Sequence, residues 1–175
     1  GNMIKMDQAD DTSLIKTSGG PGRNMAFLAM VSAINGNTLT FSPPLPYGFS
    51  ASYSPQVSYS WGGPGKQWSG IEDMTINNNG VTDMISFWAS YACWIKNVEM
   101  TRGENSFIFF VDTLRCEVRD SYIHDADGAP LNSDGYGIYL YNKSSYNLVI
   151  NNTFSTLFVG TFQTGSSANA FLYNY

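Results

Sequence analysis

The chain has 175 residues, of which 43% are hydrophobic, 15% aromatic and only 13% charged, and its net charge is -5. Sparse charge beside many aromatics is the reverse of a disordered composition, and coiled coils or helical repeats would need far more Glu, Lys, Arg, Leu and Ala. A negative balance argues against a nucleic-acid partner, and no run of about eighteen apolar residues is present to span a bilayer as a helix.

The first residues, Gly1-Asn2-Met3-Ile4-Lys5-Met6-Asp7, carry no apolar signal-peptide core. Met25 to Ile34 is apolar, Asn35-Gly36-Asn37 is a turn signal, and Thr38-Leu39-Thr40-Phe41 alternates; together these predict a β-hairpin. Pro43-Pro44-Leu45-Pro46 cannot lie in a central strand and marks a boundary. Gly19-Gly20-Pro21-Gly22-Arg23 and Gly62-Gly63-Pro64-Gly65-Lys66 read as loops, since neither has the spacing of a phosphate loop. Residues 1–66 therefore read as a hairpin and loop region that leads into or caps the remainder, 67–175.

That remainder repeats. A branched apolar residue, any residue, then Asn or Asp recurs at Ile71-Glu72-Asp73, Ile95-Lys96-Asn97, Val118-Arg119-Asp120, Ile150-Asn151-Asn152 and Leu172-Tyr173-Asn174, at spacings of 24, 23, 32 and 22. The long interval holds Asp125 to Gly135, which reads as a loop insertion. A second series lies between the anchors: Met84-Ile85-Ser86-Phe87, Phe107-Ile108-Phe109-Phe110, Gly137-Ile138-Tyr139-Leu140 and Phe158-Val159-Gly160-Thr161. Two strand signals per repeat of this length predict an all-β chain folded as a parallel β-helix. Stacked coils roughly 4.8 Å apart would place Ile71, Ile95, Val118, Ile150 and Leu172 in an inward ladder. Asp73, Asn97, Asp120, Asn152 and Asn174 would then form a polar ladder at a tight turn. Phe107, Phe109, Phe154 and Phe158 are expected inside, and Trp88, Trp94, Tyr139, Tyr141 and Tyr173 outside.

Candidate sites follow from this stacking. Trp94, Lys96, Glu117 and Arg119 would share an outward face and could form a subsite for an acidic sugar, with Trp94 as platform; a solvated face with cross-strand ion pairs is the simpler alternative. The insertion brings together His124, the only histidine, with Asp125, Asp127 and Asp134. These are the candidate catalytic residues, His124 as a proton carrier, and their oxygens leave calcium as a candidate ion. A plain solvated loop is the competing reading. Cys93 and Cys116 should meet in neighbouring coils within disulfide range, and packing as free thiols is the reading preferred over a bond.

The strings Ala92-Cys93-Trp94-Ile95-Lys96-Asn97-Val98-Glu99, Arg115-Cys116-Glu117-Val118-Arg119-Asp120-Ser121-Tyr122-Ile123-His124-Asp125 and Ser144-Ser145-Tyr146-Asn147-Leu148-Val149-Ile150-Asn151-Asn152 resemble the right-handed parallel β-helix proteins of the pectate-lyase superfamily. The similarity extends to the large bacterial group of secreted members without a characterised activity. It implies a secreted or cell-surface protein that binds or cleaves an extracellular, acidic polysaccharide, with lyase chemistry ahead of hydrolysis. It also implies further coils beyond Tyr175, so the chain reads as a piece of something longer. The competing class is a non-catalytic surface or appendage protein, a rigid rod whose apolar outer faces pack against copies of itself as a homo-oligomer.

Overall fold

The computed structural model describes residues 2–13, 22–59, 65–78, 82–127 and 134–175. It contains fifteen strands and one short 3-10 turn among those residues. Both Gly-Gly-Pro-Gly segments lie partly outside the described residues, as does the centre of the insertion, 128–133. No helix among the described residues is long and apolar enough to cross a membrane.

Four strands form an antiparallel sheet in the order β3-β2-β1-β4: β1 (Met3–Gln8), β2 (Met25–Asn35), β3 (Thr38–Ser42) and β4 (Gln56–Tyr59). The hairpin of β2 and β3 turns at Gly36-Asn37, where Gly36 supplies a φ of 57°. Residues 25–29 are apolar without alternation because both faces of that stretch are covered. Phe27 and Ala29 pack with Ile4, Phe41 and Phe49, while Leu28 and Met3 pack with Ala89 and Leu114 of the coils. The sheet therefore lies along the flank of the coils. Tyr146 donates to the Pro44 carbonyl at 2.6 Å and Arg115 to the Ser42 hydroxyl at 3.1 Å, so successive coils grip it.

The link between β1 and β2 is held by one carboxylate. Asp10 accepts from the N–H groups of Asn24 (2.6 Å), Met25 (3.0 Å) and Gly22 (3.0 Å) and from the Asn24 amide (2.7 Å). Burial pushes the Asp10 carboxyl up, but these hydrogen bonds outweigh it and hold the group below the ordinary value of 3.8. A depressed folded value contributes stability that is present above the unfolded value and is lost as pH falls through the folded one. Asp10→Asn is therefore expected to lower stability at neutral pH, and its difference from the parent should shrink as pH falls below the ordinary value of 3.8, as urea unfolding at several pH values would show.

The rest is a β-solenoid of about four turns. One parallel sheet is β6 (Asp83–Trp88), β8 (Ser106–Val111), β11 (Tyr136–Tyr141) and β14 (Val159–Thr164). The other is bent. Its first limb contains β5 (Gly70–Asn77), β7 (Trp94–Thr101), β9 (Glu117–Arg119), β12 (Leu148–Ile150) and β15 (Ala170–Leu172). Past the bend β5 and β7 continue beside β10 (Tyr122–His124) and β13 (Thr153–Ser155), a third strand position that the sequence reading did not separate. The bend is made by Asp73, Asn97, Asp120 and Asn151, all left-handed with φ between 50° and 55°. Asn and Asp tolerate that region better than other side chains, which is why the repeat keeps them there.

Pairing corrects the expected register after the insertion. Ile71, Ile95 and Val118 stack inward as expected, but Val149 and Phe171 continue the ladder, and Ile150 lies beside Arg119 on the outside. The Asn151-Asn152 doublet caused the slip: Asn151 makes the bend and Asn152 points inward. A one-residue shift exchanges the two faces of a strand. Asn152 then forms an internal ladder with Asn174, whose Oδ1 accepts from the Asn152 amide at 3.0 Å. A second internal ladder runs through Cys93, Cys116, Asn147 and Asn169, in which Asn147 Oδ1 accepts from the Cys116 N–H at 2.8 Å. Both cysteines are buried and free. Phe107 is buried and Phe154 packs on the core, but Phe109 and Phe158 face outward, contrary to expectation.

Candidate functional site

The first limb of the bent sheet gathers the predicted sugar subsite. In register, Gly70, Trp94 and Glu117 form one outward column, and Glu72, Lys96 and Arg119 the next. Of the two cations, Arg119 is engaged. Arg119 contacts Asp120 at 2.8 Å and Glu117 at 3.2 Å, with its guanidinium held above its ordinary value chiefly by the hydrogen bond to Asp120. Lys96 stands between Glu72 and Arg119 and close enough to Asp120 to act on its charge. Trp94 is half-buried, donates its indole N–H to Glu72 at 2.5 Å and lies over Gly70. A Cβ on Gly70 would fall inside the Trp94 ring. Gly70→Val should displace the indole and cost about 1–3 kcal/mol of stability. Tryptophan fluorescence together with the urea midpoint checks it.

Past the bend a groove of about 640 Å³ crosses all four coils. One bank is the bend column, in which the Asn97 amide donates to Asp73 and the Asn151 amide to Asp120, each at 2.8 Å. The hydrogen bond from Asn151, with Arg119 beside it, holds the Asp120 carboxyl below its ordinary value. The facing bank is the column Thr75, Glu99, Tyr122 and Thr153, with Tyr175 beside Thr153 as its next member. Thr75 donates to Glu99 Oε2 at 3.0 Å.

His124 stands at the edge of this groove, its ring stacked on Tyr122 with centroids 4.0 Å apart. Its Nε2 lies 3.3 Å from Glu99 Oε1 and its Nδ1 2.9 Å from Asp125 Oδ2. The hydrogen bond from His124 keeps the Asp125 carboxyl below its ordinary value. The remaining predicted acids stand apart: Asp127 pairs with Arg102 at 3.3 Å, and Asp134 forms no ion pair with another described residue. Among the described residues no three His, Cys, Asp or Glu side chains are placed to hold a metal ion. The sequence reading missed Glu99, Tyr122 and Thr75. Their signal was the same repeat, two residues past each bend residue, where alternation returns a side chain to the outer face.

The third outward surface is aromatic. Across β6, β8, β11 and β14, Trp88 meets Phe109 at 6.3 Å, Phe109 meets Tyr139 at 5.2 Å and Tyr139 meets Phe162 at 5.0 Å. Tyr141 joins at Phe109, and Tyr136 connects Phe162 with Phe158. Burial and its neighbours Tyr141 and Tyr136 raise the Tyr139 hydroxyl above its ordinary value, so it stays neutral.

No family model matches this chain, and neither a curated protein nor a solved structure matches it.

Proposed function

We propose that the solenoid recognises an extracellular polysaccharide whose chain lies along the coil axis in the groove between the bend column and the Thr75–Glu99–Tyr122–Thr153 column. The carrying observation is the groove's repetition: four coils offer two lines of amide, hydroxyl and carboxylate groups. Their roughly 4.8 Å step follows from strand spacing. A polymer of hydroxylated rings presents donors and acceptors just as regularly, and Tyr122 offers a ring face. Kinship with the pectate-lyase superfamily and export from a bacterial cell belong to the same proposal, and they rest on the coil pattern and the Asn ladders.

The charges favour a neutral polymer over an acidic one. Asp73, Glu99 and Asp120 line the groove, and the nearby cation Arg119 is already paired. A uronate would meet carboxylates, and Lys96, a cation without an ion pair to another described residue, stands on the first limb outside the groove. Binding therefore stands ahead of lyase cleavage, which would need such a cation at the sugar carboxylate. If the groove does cleave its polymer, His124 between Glu99 and Asp125 is the group placed to move a proton.

Affinity gel electrophoresis against neutral and uronate polysaccharides tests the reading. Retardation by a neutral polymer is expected, weakened about tenfold in Tyr122→Ala, the equivalent of about 1.4 kcal/mol. Unchanged mobility in every polymer would overturn it. A uronate product absorbance that His124→Ala abolishes would replace binding by cleavage.

The runner-up is a non-catalytic surface or appendage rod, which the exposed aromatic stripe favours.

A further inference from the structure

The aromatic stripe lies on a different sheet from the groove and needs its own account. Trp88 is 50% exposed, and Tyr141, Phe158 and Phe162 are each 38–39% exposed. With about 200 Å² for a whole aromatic side chain, these four leave roughly 330 Å² open to water. That lies within the range of about 300–600 Å² for the largest patch on a monomer, and it is about two-fifths of the roughly 800 Å² each partner gives to a standard interface.

Charge narrows the occupant. The molecule carries -5, so two copies repel over most of their surfaces. The outward side chains along the middle of β6, β8, β11 and β14 (Ser86, Trp88, Phe109, Tyr139, Tyr141 and Phe162) are all uncharged. Along this middle row a second copy meets no like charge; Asp83, at the start of β6 in register with Tyr136, accepts hydrogen bonds from Asn105 and Ser106. The edge-to-face ring contacts fix the rings before any partner arrives, so less side-chain freedom is lost on docking. Sheets pack face to face at about 10 Å.

We propose that the stripe is a self-association surface: a second copy of this chain packs its own stripe against it, sheet on sheet. In such a pair a two-fold axis would set the same patch of both copies face to face, the arrangement of an isologous contact. This inference is independent of the groove, which stays open to solvent in such a pair.

Sedimentation velocity of the full chain across a hundredfold concentration range is the test. The parent should pass from monomer to dimer, and the double variant Phe109→Ser with Phe162→Ser should shift the midpoint at least tenfold upward. Tyr141→Lys, at an exposed position, should do the same without touching the core, and circular dichroism confirms that each variant is folded. A parent that stays monomeric throughout would overturn the proposal. So would a dimer that both variants leave intact, since its interface would lie elsewhere. A monomer whose stripe variants lose polysaccharide retardation would overturn it as well, reassigning the rings to sugar; a lost groove alone, with dimers intact, would not.

Discussion

Phe110→Ala is expected to destabilise the chain by about 3–5 kcal/mol, while Phe109→Ala, one residue away, should cost less than half as much. Phe110 is fully buried, stacked between Phe87 of the coil before and Leu140 of the coil after, with the Phe87 ring 5.1 Å away and edge-on. Removing it opens a void that the strands cannot close, because both neighbours are fixed by ladder hydrogen bonds at constant spacing. Phe109 points the other way, into the stripe, where water fills the gap. Urea denaturation of the two variants beside the parent measures the difference. Equal losses would mean that the alternation along β8 is misassigned.

The second large effect is expected at Asn152. This side chain is fully buried; its Oδ1 accepts from the Ser121 N–H at 3.1 Å, and its Nδ2 donates to the Val118 carbonyl at 3.0 Å. Both partners are backbone groups at the bend, where the strand ladder is interrupted and cannot serve them. Asn152→Leu keeps the branched shape and the number of side-chain heavy atoms and leaves both groups without a partner, at about 1–3 kcal/mol each, so a total near 3 kcal/mol is expected. Asn151→Leu separates the two roles. Asn151 is exposed and left-handed at 55°, so its replacement costs bend geometry and the hydrogen bond to Asp120, a smaller loss of about 1 kcal/mol. If the two substitutions proved equally mild, the internal Asn ladder would not be holding the bend.

The pair of positions also explains how much was legible in the sequence. The coil period, the parallel stacking and the Asn or Asp at the first three bends, Asp73, Asn97 and Asp120, were readable because successive coils repeat them. The face of each residue after the insertion was not, because Asn151 and Asn152 both satisfy the repeat and only hydrogen-bond pairing separates them. The hairpin of β2 and β3 was legible from its turn, whereas β1 and β4 were hidden in short stretches whose strand partners are distant in the chain. Trp94, Lys96, Glu117 and Arg119 were correctly placed on one face, but their mutual pairing depends on side-chain geometry that spacing does not encode. His124 and Asp125 do meet; Glu99, 25 residues earlier, completes their contacts and could be found only once the coils were aligned. Phe109 and Phe158 were misplaced because a ladder of aromatics looks the same from either face.

The most direct test of the functional account is a crystal structure of the chain with an oligosaccharide from the neutral polysaccharide that retards it most. The account predicts sugar in the groove, one ring against Tyr122, with hydroxyls at Glu99 and along the bend column of Asn97 and Asp120. Sugar seated on the aromatic stripe with the groove empty, or held by Lys96 and Arg119 on the first limb, would contradict it.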